Sequence, residues 1–179
     1  PLRLVGSEMC IRDRLFVVER EADGREPLVR CINFGLDGMQ SFSFTLEEER
    51  SAVLVPAGQV GTYLYEPNAS VLKAGAFKQI AVRTGVKKLQ VNSHLYTSDH
   101  LVSDFPGRRF RVDEVLSFTG KLCKGLSKTI PQANITVRNF PLSVEELRKR
   151  TKITDGGHVY LFATTLVDGE KVLVKCSKA

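Results

Sequence analysis

Apolar residues fall in short runs separated by polar and turn-forming residues, which predicts many small elements and no long one. Residues 15–20 and 28–34 are rich in β-branched and apolar side chains. Asp23-Gly24 lies between them, and the spacing predicts an antiparallel hairpin. Residues 35–61 mix polar and apolar positions with Gly and Pro, and read as loop with short strands. Residues 62–66 read as a strand. From Pro67 or Asn68 to about Thr84, the positions Val71, Leu72, Ala74, Ala76, Phe77, Ile80 and Ala81 predict one helix buried on more than one side, stopped by Gly85. A strand at 86–91 completes a strand-helix-strand unit over 62–91.

The second half alternates again. Residues 108–118 read as a long strand. Over 119–130, Leu122, Cys123, Leu126 and Ile130 share one helical face, and Lys121, Lys124 and Lys128 another. Residues 134–138 form a short strand. Ser143-Val144-Glu145-Glu146 is a capping box, and the helix it opens ends in Arg148-Lys149-Arg150, where cations complement the helix dipole. Residues 158–166 and 170–176 flank Val167-Asp168-Gly169, a second hairpin.

Composition adds limits. The chain has 179 residues, 42% hydrophobic and 26% charged, enough for one ordinary domain or two small ones. No run of about 18 apolar residues is present, so no helical membrane span is expected. Cys10, Cys31, Cys123 and Cys176 form no C-x-x-C pair, which fits a reducing, cytoplasmic location better than a disulfide framework. Residues 5–14, with Glu8-Met9-Cys10-Ile11-Arg12-Asp13 at their centre, resemble the conceptual translation of a sequencing adaptor. Residues 1–14 are therefore expected to be an artificial, disordered segment, with the genuine sequence starting near Leu15. The net charge of +6 becomes +5 without them.

The charge is uneven. Residues 1–106 hold 12 basic and 13 acidic residues, and residues 107–179 hold 14 and 7. The excess marks the C-terminal portion as a candidate anion-facing module, against the plainer reading of a solvated surface with extra lysines. The candidates for phosphate contact are Arg108, Arg109, Arg111, Lys121, Lys124, Lys128, Arg138, Arg148, Lys149, Arg150 and Lys152. Tyr96, Phe140 and Tyr160 would stack on unpaired bases if they are not core residues.

No G-x-G-x-x-G or G-x-x-x-x-G-K-[ST] loop occurs, and Asp155-Gly156-Gly157 precedes a strand and reads as a turn. His94, Asp99, His100 and Asp104 match no standard ligand spacing, so no metal site is expected. No catalytic constellation stands out.

Two stretches carry a family resemblance. One is Tyr63-Leu64-Tyr65-Glu66-Pro67-Asn68-Ala69-Ser70-Val71-Leu72-Lys73-Ala74-Gly75-Ala76-Phe77, continued by His94-Leu95-Tyr96-Thr97-Ser98 and Phe105-Pro106-Gly107-Arg108. The other is Ala133-Asn134-Ile135-Thr136-Val137-Arg138-Asn139-Phe140-Pro141-Leu142-Ser143, continued by Asp155-Gly156-Gly157 and Tyr160-Leu161-Phe162-Ala163-Thr164. They resemble the C-terminal half of bacterial class I S-adenosylmethionine-dependent methyltransferases that end in a THUMP-like domain. The resemblance implies an α+β fold, with a small ferredoxin-like strand-helix-strand segment at 62–106 and a THUMP-like α/β domain at 107–179 that ends in a β-hairpin. Residues 15–61 would then be a remnant hairpin of the catalytic domain plus a linker. It further implies RNA (tRNA or rRNA) as partner, together with an upstream catalytic domain that this chain does not contain. S-adenosylmethionine is implied for the parent protein and no cofactor for this fragment, which is expected to be inactive alone. The alternative is a structural module that docks on the catalytic domain without binding RNA, suggested by the nearly chargeless helix over 68–84.

Overall fold

The computed structural model describes Gly24, residues 26–35 and residues 38–179. The adaptor-like segment and the strand expected at 15–20 lie outside the described residues. Strand β1 (Leu28–Gly35) pairs with β2 (Gly38–Thr45), from Leu28 opposite Thr45 to Gly35 opposite Gly38. Its inward side chains Val29 and Cys31 join Phe42 and Phe44 of β2 in a core. Residues 35–61, expected as loop with short strands, thus contain an eight-residue strand and also a helix, α1 (Leu46–Ser51). Thr45 and Glu48 make the same reciprocal capping box as Ser143 and Glu146: Glu48 N–H donates to Thr45 Oγ1 at 3.2 Å, and Thr45 N–H to Glu48 Oε2 at 2.7 Å.

The remaining elements are β3 (Tyr63–Pro67), α2 (Ala69–Ala74), α3 (Gln79–Thr84), β4 (Lys87–Lys88), β5 (Tyr96–Ser98), β6 (Gly107–Ser117), α4 (Gly120–Thr129), β7 (Asn134–Arg138), α5 (Val144–Thr151), β8 (Tyr160–Thr165) and β9 (Lys171–Lys178). Seven strands form one sheet in the order β4-β5-β3-β6-β9-β8-β7, antiparallel except for β7 on β8. The fold is mixed α and β around this sheet. No helix among the described residues is long and apolar enough to cross a membrane.

The single helix expected over 68–84 is two helices. Asn68 caps α2 as expected, its side chain accepting from Val71 N–H at 3.1 Å, but Gly75 turns left-handed at φ 81° and ends the helix. The second start is capped from a distance. The Glu49 carboxylate of α1 accepts the backbone N–H of Lys78 at 2.9 Å and of Gln79 at 2.8 Å. Two helix-opening donors thereby find partners that local sequence does not supply. The apolar surface of α2 and α3 is spent internally, since Val71, Ala76, Ile80 and Ala81 are buried with Tyr65, Tyr96 and Phe105.

Sheet register separates two faces. Tyr65 and Tyr96 point to the side covered by α2, α3 and the β1–β2 hairpin. Leu161, Ala163 and Leu173 point to the same side and pack with Leu126, Ile130 and Leu147 of α4 and α5. The other face carries Leu64, Phe110, Phe162, Val172, Val174 and Cys176, closed by Ala57, Leu89 and Leu95. This face is concave. A flat sheet would hold β3 and β7 about 19 Å apart, four strand spacings. Yet Glu66 of β3 bonds directly to Arg138 of β7. The rings of Phe110 and Phe162, two strands apart, likewise approach to 4.9 Å between centroids. A β-bulge in β6 between Val112 and Glu114 adds local twist where the sheet bends.

Gly107 permits the close approach of β6 to β3. A Cβ there would lie 2.2 Å from the Glu66 carbonyl oxygen and 2.8 Å from Pro67 Cα. Gly125, inside α4, faces open space. Gly107→Ala should therefore destabilise the chain by about 2 kcal/mol or more through backbone displacement. Gly125→Ala should stabilise it by about 0.5–1 kcal/mol. Urea unfolding midpoints of the two variants should move in opposite directions.

Candidate nucleic-acid interface

The eleven basic candidates sort into four environments. Lys121, Lys124 and Lys128 are exposed on α4, and Lys149, Arg150 and Lys152 are exposed on or just after α5. The two helices pack against each other through Leu126, Ile130 and Leu147. Their apolar stripes face the sheet, so the cations necessarily face solvent. None of these six makes an ion pair among the described residues. They form an exposed basic surface on the two helices.

Arg109 and Arg111 lie on β6, on the helix-covered side of the sheet. Arg109 donates through Nη1 to the Ser103 carbonyl, and Arg111 is exposed. Arg148 is different in kind. Its Nη2 donates to the Ala133 carbonyl at 3.2 Å, its Nη1 to the Ile153 carbonyl at 3.3 Å, and it pairs with Asp155. That guanidinium fastens α5 to the loops on either side of it and has few donors left for a ligand.

Arg108 and Arg138 lie on the concave face, brought together by a carboxylate that the sequence reading did not single out. Glu66 has a side chain only 6% exposed. Its Oε2 accepts from Arg108 Nε at 2.9 Å and from Nη2. Its Oε1 accepts from Arg138 Nε at 3.2 Å and Nη2 at 2.8 Å. Arg108 is further held with its Cζ 5.4 Å from the Phe110 ring centroid.

His94 sits near this group in a left-handed backbone conformation, φ 51°, stacked on Phe77 at 4.1 Å. Its Nδ1 is buried without a partner. Burial, then the charges of Lys88 and Arg138, hold its pKa below 6.5. Lys88 is buried, donates through Nζ to the Val91 carbonyl at 2.7 Å, and lies 5.0 Å from the Phe77 ring centroid. Burial lowers its pKa from 10.5, opposed by Glu49.

The aromatic candidates serve the core. Tyr96 is fully buried, and its hydroxyl donates to the Phe77 carbonyl at 2.7 Å. Phe140 packs edge-on against Phe118, and Tyr160 lies 4.9 Å from Phe110. None is free to take a base without leaving these contacts. Cys31, Cys123 and Cys176 are buried, and burial pushes the thiols of Cys31 and Cys176 up to about 11 and about 12, so neither supplies a thiolate nucleophile near neutral pH.

The described residues do not fit S-adenosylmethionine. The parallel unit β7–α5–β8 is where a cofactor cradle would sit, at the turn from strand to helix. That turn is Asn139-Phe140-Pro141-Leu142, without glycine and occupied by the Phe140 ring. Two cavities of about 250 and 220 Å³ lie where the β1–β2 hairpin meets the start of β6. The first is lined by Gln40, Ser41, Ser103, Asp104, Phe105 and Arg109, and the second mainly by Asn33, Gln40, Asn68 and Arg108.

Comparison with known proteins agrees with this architecture. Residues 63–106 match a ferredoxin-like domain family, and residues 107–178 match a THUMP domain-like family. The chain thus carries a ferredoxin-like segment followed by a THUMP-like domain, the C-terminal arrangement associated with a methyltransferase. A solved structure described as a "putative methyltransferase" from Porphyromonas gingivalis W83 is similar at a TM-score of 0.81 and 48% identity. The match covers 85% of this chain and 38% of that one, so this chain spans well under half of that protein's length. No curated protein sequence matches the chain.

The histidine gives a pH prediction. A folded pKa below 6.5 means the unfolded chain takes up this proton first as pH falls. The stability tied to neutral His94 is present above 6.5 and is lost as pH drops through the lowered value. His94→Asn, which keeps a residue tolerant of left-handed backbone, should reduce the stability lost between about pH 7.5 and about pH 5.5. Urea titrations of both proteins at the two pH values check it, and equal losses would contradict it.

Proposed function

We propose that this chain is the substrate-engaging C-terminal region of an S-adenosylmethionine-dependent RNA methyltransferase, with catalysis carried by a domain outside this sequence. The observation that supports the reading most is the exposed basic surface of α4 and α5, within the segment that matches the THUMP-like family. Lysines on a solvated helix face suit phosphate neutralisation. They hold charge in place without fixing register, which gives affinity and orientation but no sequence choice. Methyl transfer, the cofactor and its site belong to the whole protein in this reading. The cofactor then binds outside the described residues, and the 179-residue chain should show no methyl transfer alone.

A second reading has its own observation. The outward face of the β1–β2 hairpin exposes Leu28, Ile32, Phe34 and Met39, with Phe34 80% exposed. An apolar strip of that kind suits docking onto another domain. The helix surface over 68–84 does not support docking, because it is buried in this chain's own core.

Salt titration separates the readings. Single-stranded RNA should bind the chain at low salt with log affinity falling linearly in log salt. Lys121→Glu/Lys124→Glu/Lys128→Glu should reduce the magnitude of that slope by about 2 and weaken binding at least tenfold at low salt. Fluorescence anisotropy with a labelled oligonucleotide measures both. Absence of RNA binding at low salt would remove the first reading and leave the docking role.

A further inference from the structure

Arg108 and Arg138 are arranged differently from the lysines of α4 and α5. Each guanidinium spends one edge, Nε and Nη2, on a single oxygen of Glu66. Neither Nη1 is used by any partner among the described residues, and the side chains remain 54% and 37% exposed. Two fixed cations share one carboxylate, so the group keeps a net positive charge. The donors are also pre-set. A guanidinium locked through its Nε edge presents its outer donors in a fixed plane, and ordering the side chain has already been accomplished by folding.

We propose that Arg108 and Arg138 together hold one phosphate group at the mouth of the concave sheet face, with Glu66 as the positioning residue that spreads the pair. The phosphate would bridge the two outward Nη1 edges, opposite the Glu66 carboxylate. A tetrahedral anion with several oxygens can accept from both planes at once, whereas a lone chloride offers a single point. The source is either an RNA backbone phosphate or a small free phosphate compound. The RNA alternative rests on the function proposed above, and the site itself does not.

The test uses the whole 179-residue chain and inorganic phosphate. Arginine side-chain Nε–H resonances are followed by NMR during titration, with wild type, Arg108→Gln, Arg138→Gln and the charge-retaining Arg108→Lys. The expected result is a saturable shift of the Arg108 and Arg138 signals in the wild type. Each Gln variant should weaken phosphate binding about tenfold or more, and Arg108→Lys should weaken it despite keeping the charge. The wild-type measurement does not depend on any variant folding. Circular dichroism identifies variants that do not fold.

RNA titrations of the same proteins separate the sources. Loss of about 0.7 from the salt slope in Arg108→Gln/Arg138→Gln assigns the phosphate to RNA. An unchanged slope with phosphate binding lost assigns it to a small free compound, and both outcomes support the site. Unmoved wild-type arginine signals at saturating phosphate would overturn the proposal and show that the arginines only fasten the sheet. RNA binding that still depends on Lys121, Lys124 and Lys128 would then leave the proposed function standing.

Discussion

Glu66 occupies the point at which two ends of one sheet meet. It belongs to β3, its two arginines to β6 and β7, and the direct bonds to Arg138 span four strand spacings. A carboxylate this buried carries a desolvation cost of several kcal/mol. Four guanidinium hydrogen bonds offset it, and two of them can form only if the sheet is coiled. The same charge would be costly in a flatter sheet, where Arg138 lies out of reach. The pair therefore contributes less to net stability than to selecting one curvature. Its partners in that selection are steric: Gly107 lets β6 close on β3, and the bulge after Val112 supplies twist.

This curvature also explains why two recognisable domains behave as one body. The ferredoxin-like match ends at residue 106 and the THUMP-like match begins at 107, yet β3 and β6 pair directly across that boundary. The concave core draws Leu64, Leu89 and Leu95 from the first segment and Phe110, Phe162 and Val174 from the second. Neither segment completes that core alone. A basic surface on α4 and α5 is thereby held at a fixed orientation to the hairpin and the arginine pair.

How far the sequence disclosed this depends on where the controlling contacts lie. The Ser143 capping box, the β7 segment and the last hairpin were readable because turn chemistry and periodicity act within a few residues. The Gly85 stop followed from the same logic. The break at Gly75 did not, because the second helix start is capped by Glu49, about thirty residues away. Helix α1 is locally legible, since Thr45 and Glu48 repeat the Ser143 pattern within the polar residues of 35–61. The residues of the arginine pair stood among the basic candidates by charge alone. What sets them apart is Glu66, and its reach across the sheet is a property of curvature that no local window contains. Conversely, Arg148 shared the charge of its helix neighbours, but a half-buried position turned it into a structural fastener.

The distinction between mobile and fixed cations decides what each surface can do. A lysine on an exposed helix loses side-chain freedom whenever it contacts a phosphate, so many such contacts add up to affinity that salt readily screens. An arginine already clamped by a buried carboxylate has met most of that entropic cost during folding, and its outer donors point in set directions. Fixed donors favour one oxygen geometry at one place, which registers a phosphate; mobile ones collect a polyanion without registering it. With the lysines on the helix-covered side of the sheet and the arginine pair on the concave side, the first can gather a flexible strand and the second can hold a phosphate at a single point. Because that point is built on the bond that sets sheet curvature, any distortion of the sheet would move it, and the placement of a strand is coupled to the integrity of the core beneath.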